Sequence, residues 1–411
     1  MRLIGLFFIF VAGASCQRVP QHESLPPLTL EDPSFAATVE AYTSPVVAGN
    51  AVDLLLNGDQ IFPAKLAAIR SAQRTINYAE YFYADGPPAR DIAEALAERC
   101  LAGVTANILL DGFGTLSMPA AYVERLKTAG CRVVIFRPVG RFSLRRHNNR
   151  NHRRILVVDG RIGLTGGSGV SAKWMGNGRL DGHWRDTDVR IEGPAVDSLQ
   201  AAFAESWREA TGEVLGGAVF FPRPQARKGD IRAQVVRSSP AAGSYAMYTM
   251  FMLAISSARH SISLTNPYFL PDDRMAEALL AAARRGVRVI VLTPGKIDHN
   301  IVRAASRRDF GRLLTGGIEI REYQASLLHA KTMSIDGVWA TVGSTNLDNR
   351  SFALNEELNL VVYDPGLAGR LEKLFQDDLA HSIKVDYETW KNRGLKTKLL
   401  EILVIPIQDL L

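Results

Sequence analysis

The chain repeats itself, and the repeat narrows the folds open to it. Residues 71–110, SAQRTINYAEYFYADGPPARDIAEALAERCLAGVTANILL, match residues 257–292, SARHSISLTNPYFLPDDRMAEALLAAARRGVRVIVL, in the order of their features. Each begins Ser-Ala, runs through a strand that ends in aromatics (Tyr81-Phe82, Tyr268-Phe269), turns, and enters a helix with apolar residues at helical spacing. Each helix stops near a glycine, Gly103 or Gly286, suited to a left-handed cap. A β-branched strand follows (104–110, 287–292), and a further one comes later (133–136, 318–323). Strand–helix–strand order predicts an α/β fold. It is expected as two similar lobes, each a mixed β-sheet flanked by helices, related by a pseudo-twofold with the site between them.

On this reading residues 46–215 form the N-terminal lobe, 216–230 a Gly-, Pro- and charge-rich linker, and 231–386 the C-terminal lobe. An apolar content of 47% with 22% charged residues excludes a disordered or polytopic chain. The formal net charge of +6 favours an anionic partner without naming one.

The N-terminus has one early Arg, a short apolar run from Leu3 to Val11, then small residues up to Cys16, the layout of a secretory signal. Cleavage after Ala14 would free a soluble protein. A lipoprotein-type signal over residues 1–16, lipidated at Cys16, is the preferred expectation, with an exported, membrane-associated product. Residues 17–45 are expected to be extended. In an oxidising compartment Cys100 and Cys131 could pair, but two buried free thiols are the expected state. The tail 387–411 puts basic residues before an apolar segment broken at Pro406, as an interfacial helix does.

Each lobe ends in the same pattern. One copy has His152, Arg154, Asp159 and Gly160, then Gly166, Gly167 and Ser168; the other has His329, Lys331, Asp336 and Gly337, then Gly343, Ser344 and Asn346. Residues two apart on a strand share a face, so imidazole and cation converge. Asp-Gly between β-rich runs predicts a two-residue hairpin, which would set His329 opposite Ser344 and His152 opposite Gly167. One such motif is weak evidence, since lone histidines and Asp-Gly turns are common. Two copies at matching places in a duplication are strong evidence.

The second motif resembles the HxKxxxxDxxxxxxGS signature of the phospholipase D superfamily, and the first resembles its partner copy. Their flanks, Trp184-Arg-Asp186-Thr-Asp188 and Gly343-Ser-Thr-Asn346-Leu-Asp348 through Glu356-Glu357, resemble bacterial cardiolipin synthases. The resemblance spans about residues 45–390, with Arg154 standing where the family has Lys. It implies a phosphohistidine mechanism with His152 as nucleophile and His329 as general acid/base, or the reverse. Arg154 and Lys331 would hold the phosphoryl oxygens, and Ser168, Ser344 and Asn346 would add hydrogen bonds. Glu357 is expected to orient His329, and Asp186 to orient His152. Asp159 and Asp336 belong to the motif and are read as motif residues or turn residues. No metal or cofactor is implied. Arg137, Arg141, Arg145, Arg146, Arg150 and Arg153 are read as a platform for an anionic headgroup such as phosphatidylglycerol. A phospholipid at a membrane surface is favoured over nucleic acid. Hydrolysis by a phospholipase D, a nuclease of the same superfamily, and a degenerate lipid-binding protein remain the alternatives.

Overall fold

The β-branched runs of the two repeats become the outer strands of one mixed sheet, one set toward each end. A computed structural model describes Val19 and residues 25–139, 148–297 and 300–405. In the first lobe the strands are β1 (Val47–Leu56), β2 (Thr75–Glu80), β3 (Thr105–Asp111), β4 (Arg132–Phe136), β5 (Ile155–Val158), β6 (Ile162–Gly166) and β7 (Thr187–Glu192). The second repeats them as β8 (Ile231–Ser238), β9 (Ser261–Thr265), β10 (Arg288–Pro294), β11 (Glu319–Tyr323), β12 (Thr332–Ile335), β13 (Trp339–Gly343) and β14 (Glu357–Val362), with β15 (Ser382–Lys384) added at the edge. From the central β1–β8 pair outward the order is β1-β7-β6-β5-β2-β3-β4 on one side and β8-β14-β13-β12-β9-β10-β11 on the other. The duplication is therefore complete at the level of strands. The two sheets are joined edge to edge, because β1 pairs with β8 as well as with β7.

Within each lobe the first three repeat strands are parallel, and the rest antiparallel. Parallel pairing needs crossover helices, and Pro87–Leu101 and Asp273–Arg284 supply the first of them in each lobe. Gly103 (φ +89°) and Gly286 (φ +91°) follow these helices in the left-handed region, where glycine alone is unstrained. The helix Val196–Thr211 buries Leu199, Phe203 and Trp207 in a core shared by both lobes, reaching Val235, Val342 and Leu358 of the second.

Four expectations need correction. Residues 17–45 are not extended throughout: Pro33–Tyr42 is a helix, because Asp32 caps it by accepting the Ser34 N–H at 2.8 Å and Pro33 fits its first turn. Cys100 and Cys131 are a disulfide, tying the end of the first crossover helix to the start of β4 across a Cα separation of 5.5 Å. The hairpin loops have three residues, not two. Val158 pairs with Ile162 and Ile335 with Trp339, and the loops enter through Asp159 (φ +52°) and Asp336 (φ +54°). Register therefore slips by one, which sets His329 on line with Thr345 and His152 with Ser168; the ladders themselves stop at Thr332 and Ile155. The fourth is that Arg150 and Arg153 form no exposed platform. Both are fully buried, Arg150 beside Asp111 (3.6 Å) and Arg153 within 3.1 Å of Glu205. Arg137 is spoken for by Glu209 and Glu356. The N-terminal signal pattern, Arg141, Arg145, Arg146 and Pro406 lie outside the described residues. Among the described residues no helix is long and apolar enough to cross a membrane.

Candidate active site

Each motif histidine sits just ahead of its hairpin strand, on a segment that reaches across to the other lobe. The His152 N–H donates to the carbonyl of Glu356 (2.9 Å), and the His329 N–H to that of Arg185 (2.7 Å). Matching parallel bridges join Asn151 to Glu356 and Arg185 to Leu328. Both imidazoles are buried where the lobes meet.

The orienting carboxylates also cross over. His152 Nδ1 lies 2.9 Å from Glu357 Oε1, and His329 Nδ1 lies 2.7 Å from Asp186 Oδ2. This reverses the pairing expected from sequence. Glu357 follows the second motif along the chain, but β14 carries it to the seam facing the first lobe, and Asp186, just ahead of β7, is carried the opposite way. Gly167 is part of the same arrangement, since a Cβ there would stand 2.3 Å from Asp186 Oδ1. In the second lobe the equivalent Ser344 instead donates its hydroxyl to Glu357.

The cations occupy equivalent seats. Lys331 Nζ donates to the carbonyl of its own His329 (2.6 Å) and lies 3.0 Å from that ring's Nε2. Arg154 Nη1 donates to the carbonyl of His152 (2.9 Å), and Nη2 stands 3.2 Å from His152 Nε2. A guanidinium can only donate, so His152 Nε2 presents a lone pair and Nδ1–H points to Glu357. The greater length of Arg154 is accommodated by Glu80 Oε1 at 4.0 Å and by the ring of Tyr81, whose centroid lies 5.7 Å from the guanidinium carbon.

Electrostatics separate the two histidines. Burial, then the charges of Arg154 and Lys331, hold His152 well below the usual imidazole range. Burial and Lys331 lower His329 to about 4, with Asp186 opposing them. Asp186 itself is buried, yet the charge and hydrogen bond of His329 hold it well below the usual carboxylate range. Glu357 is pushed up to about 7 by burial, in spite of the Ser344 hydroxyl.

The model of the family described as "Cardiolipin synthase, PLD-like domain" matches residues 66–207 and 252–379, both halves of the duplication. The chain belongs to this phospholipase D-like family. Among relatives, a cardiolipin synthase of Alkalihalophilus pseudofirmus is 33% identical over 360 residues, 87% of this chain and 72% of that one. A cardiolipin synthase A of Pseudomonas aeruginosa is 37% identical over 352 residues, 85% and 71% of the respective chains. The phosphatidylserine synthase of Haemophilus influenzae Rd KW20 shares the fold, with a TM-score of 0.67 at 14% identity, covering 91% of this chain and 98% of that one.

The remaining expected residues divide by place. Asp159 and Asp336 lie at the far end of the hairpins, away from the imidazoles. Asp159 accepts the N–H groups of Gln73, Arg74 and Thr75 at 2.8–2.9 Å, and Asp336 those of Arg259, His260 and Ser261 at 2.7–2.8 Å. They fasten each hairpin to the strand beside it. Ser168 is committed to Asp188 (2.6 Å) and Lys65 (2.9 Å), as Ser344 is to Glu357, so both hydroxyls brace the site rather than face a ligand. Asn346 differs, for among the described residues its buried side-chain oxygen has no hydrogen-bond partner. Sequence reasoning missed the aromatic walls. Tyr81 meets the His152 ring edge-on at 4.7 Å, while Trp174 and Trp184 lie 5.2 and 5.3 Å from His329. Trp174 Nε1 also donates to Asp186 Oδ2 (2.8 Å), a role with no signal in the sequence around it.

Proposed function

We propose that this site transfers a phosphatidyl group through a phosphohistidine, from an anionic phospholipid such as phosphatidylglycerol to a lipid alcohol, as the names of its cardiolipin synthase relatives suggest. The observation that carries the reading is the pair of imidazoles, each fixed at Nδ1 by the other lobe's carboxylate and flanked by a cation. His152 Nε2, kept neutral and unprotonated, attacks phosphorus. A P–N bond forms, the P–O bond to the headgroup alcohol breaks, and His329 gives that oxygen a proton. The acceptor alcohol then returns a proton to His329 as its oxygen displaces His152. Arg154 and Lys331 stand where they offset charge developing on the non-bridging oxygens. A phosphodiester anion held between the two motifs opposes the depression of His329, so the acid is charged when substrate is present.

The test is incubation of the purified chain with phosphatidylglycerol, followed by product separation. Cardiolipin and glycerol are expected; phosphatidic acid and glycerol would make it a hydrolase. With labelled phosphate, covalent label is expected on His152 and absent from His152→Ala. We further propose an exported, lipid-anchored location. The signal-like N-terminus and the Cys100–Cys131 disulfide support it, since disulfides persist in oxidising compartments. Mass measurement of the mature N-terminus tests it: a lipidated Cys16 is expected, and a free N-terminus elsewhere would overturn it.

A further inference from the structure

The helix Leu395–Leu403 is turned inside out relative to a helix packed on a protein. Leu395 is 85% exposed, Leu399 59%, Ile402 60% and Leu403 64%, whereas Glu401 is 2% exposed and faces inward, its carboxylate 2.8 Å from Arg393 Nε. At about 100° per residue these four aliphatic side chains form one stripe, bordered on either side by Lys396 and Lys398. Past the helix, Val404 anchors the segment against Leu270, Ala304 and Ala305. Leu270 is bonded to the carbonyl of Leu347, next to Asn346, and Tyr268 stands two residues before it, 6.5 Å from the ring of His329. The helix is therefore anchored, through Val404, to the segment that leads from Leu270 back to Tyr268 beside His329.

We infer that this helix lies in the surface plane of an anionic phospholipid bilayer, with its leucine stripe inserted and its lysines at the headgroups, so that the cleft is held at the lipid surface. The inference rests on the lipid-transfer reading of the site and names the surface that delivers the substrate. An apolar stripe between lysines fits an anionic interface in both its hydrophobic and its charged parts. Four aliphatic side chains fall short of the roughly 800 Å² per partner that specific association of two proteins buries, which argues against a second copy as the occupant.

The test adds one tryptophan to the full chain, at Leu399→Trp or, as a reference at an exposed apolar position elsewhere, at Leu101→Trp. Each variant is mixed with phosphatidylglycerol vesicles whose acyl chains carry bromine just below the headgroups. At an insertion depth of about 5–10 Å, L399W loses about half of its added emission and L101W loses none. Equal quenching of both, or none in L399W, would overturn the inference. So would a concentration-dependent dimer in lipid-free solution that Leu399→Glu abolishes, because the stripe would then belong to a second copy. Cardiolipin formation by the unsubstituted chain in the same vesicles reports the transfer reading separately. Insertion without product leaves the docking surface standing, and product without insertion removes it.

Discussion

Arg154 shows how one substitution can be absorbed without loss of its motif. Its guanidinium takes the seat that Lys331 takes in the other lobe, on the carbonyl of the preceding histidine, and its surplus length faces Glu80, which burial raises above the usual carboxylate range. In the second repeat Asn266, bonded to the Leu347 N–H, stands in place of Glu80, so the carboxylate that faces Arg154 has no counterpart at that position. Arg154→Lys is therefore expected to keep activity within about tenfold, and Arg154→Ala to lose on the order of 10²–10³ in kcat. Lys331→Arg should cost more than Arg154→Lys; equal rates for the two in a product assay would refute the asymmetry. His329 gives a pH prediction. Its folded-state value of about 4 lies below the ordinary 6.5, so between those values the unfolded chain binds a proton that the folded chain refuses. Stability is thus lost as pH falls through that window, by about 3 kcal/mol for this group. Glu357, raised to about 7, works the other way, losing its contribution as pH rises from 4.5 through 7. The urea midpoint of His329→Gln, compared with the parent, should therefore change least with acidification below pH 6.5. The histidines and cations were legible because they recur at fixed spacing. The carboxylate partners were legible as residues but not as pairs, since closeness along the chain says nothing about which lobe a strand end faces.

At the scale of elements, the hairpins carry the motif aspartates, and their role is mechanical. Asp336 accepts three backbone N–H groups at the start of β9 and Asp159 three at the start of β2, so each fastens its hairpin to the neighbouring strand. Removing Asp336 leaves three donors to water or to nothing. Asp336→Ala is expected to destabilise the protein by about 2–4 kcal/mol while folded molecules keep near-normal kcat. A thermal midpoint left unchanged, with activity gone, would return this residue to the chemistry. The turn itself was readable from Asp-Gly, but its length was not. Asp159-Gly160 and Asp336-Gly337 take positive φ as a two-residue turn requires, and the N–H groups of Arg161 and Val338 donate back to Val158 and Ile335, but the ladder resumes only at Ile162 and Trp339, and the extra residue moves every side chain beyond it by one place. Ser344 accordingly serves Glu357 rather than a phosphate. The Asp32–Pro33 cap was a readable helix signal in a segment whose prolines suggested extension.

The whole molecule behaves as one unit despite its two repeats, and three independent features make it so. β1 pairs with β8, so the sheet continues through the seam. Phe203 and Trp207 of the first lobe share a core with Val342 and Leu358 of the second. Arg153 is buried across the seam, donating to the carbonyls of Ser238 and Glu357 at 2.8 and 3.3 Å. The duplication told us that there would be two lobes; only the assembled sheet reveals that neither completes a histidine site alone. Cutting the backbone between residues 216 and 230 should then leave a nicked but active protein, because none of these contacts runs through that segment. The two fragments should co-elute, retain turnover, and unfold in urea in a single transition. Arg153→Met tests the seam from inside: with one partner of a buried charge network gone, Glu205 and Glu356 lose a cation, and about 3–5 kcal/mol of stability should go with it. The loss should appear as an earlier single transition in which both lobes melt together. Two separated transitions, with one lobe surviving the other, would mean that the shared core and joined sheet do not bind the repeats into one folding unit.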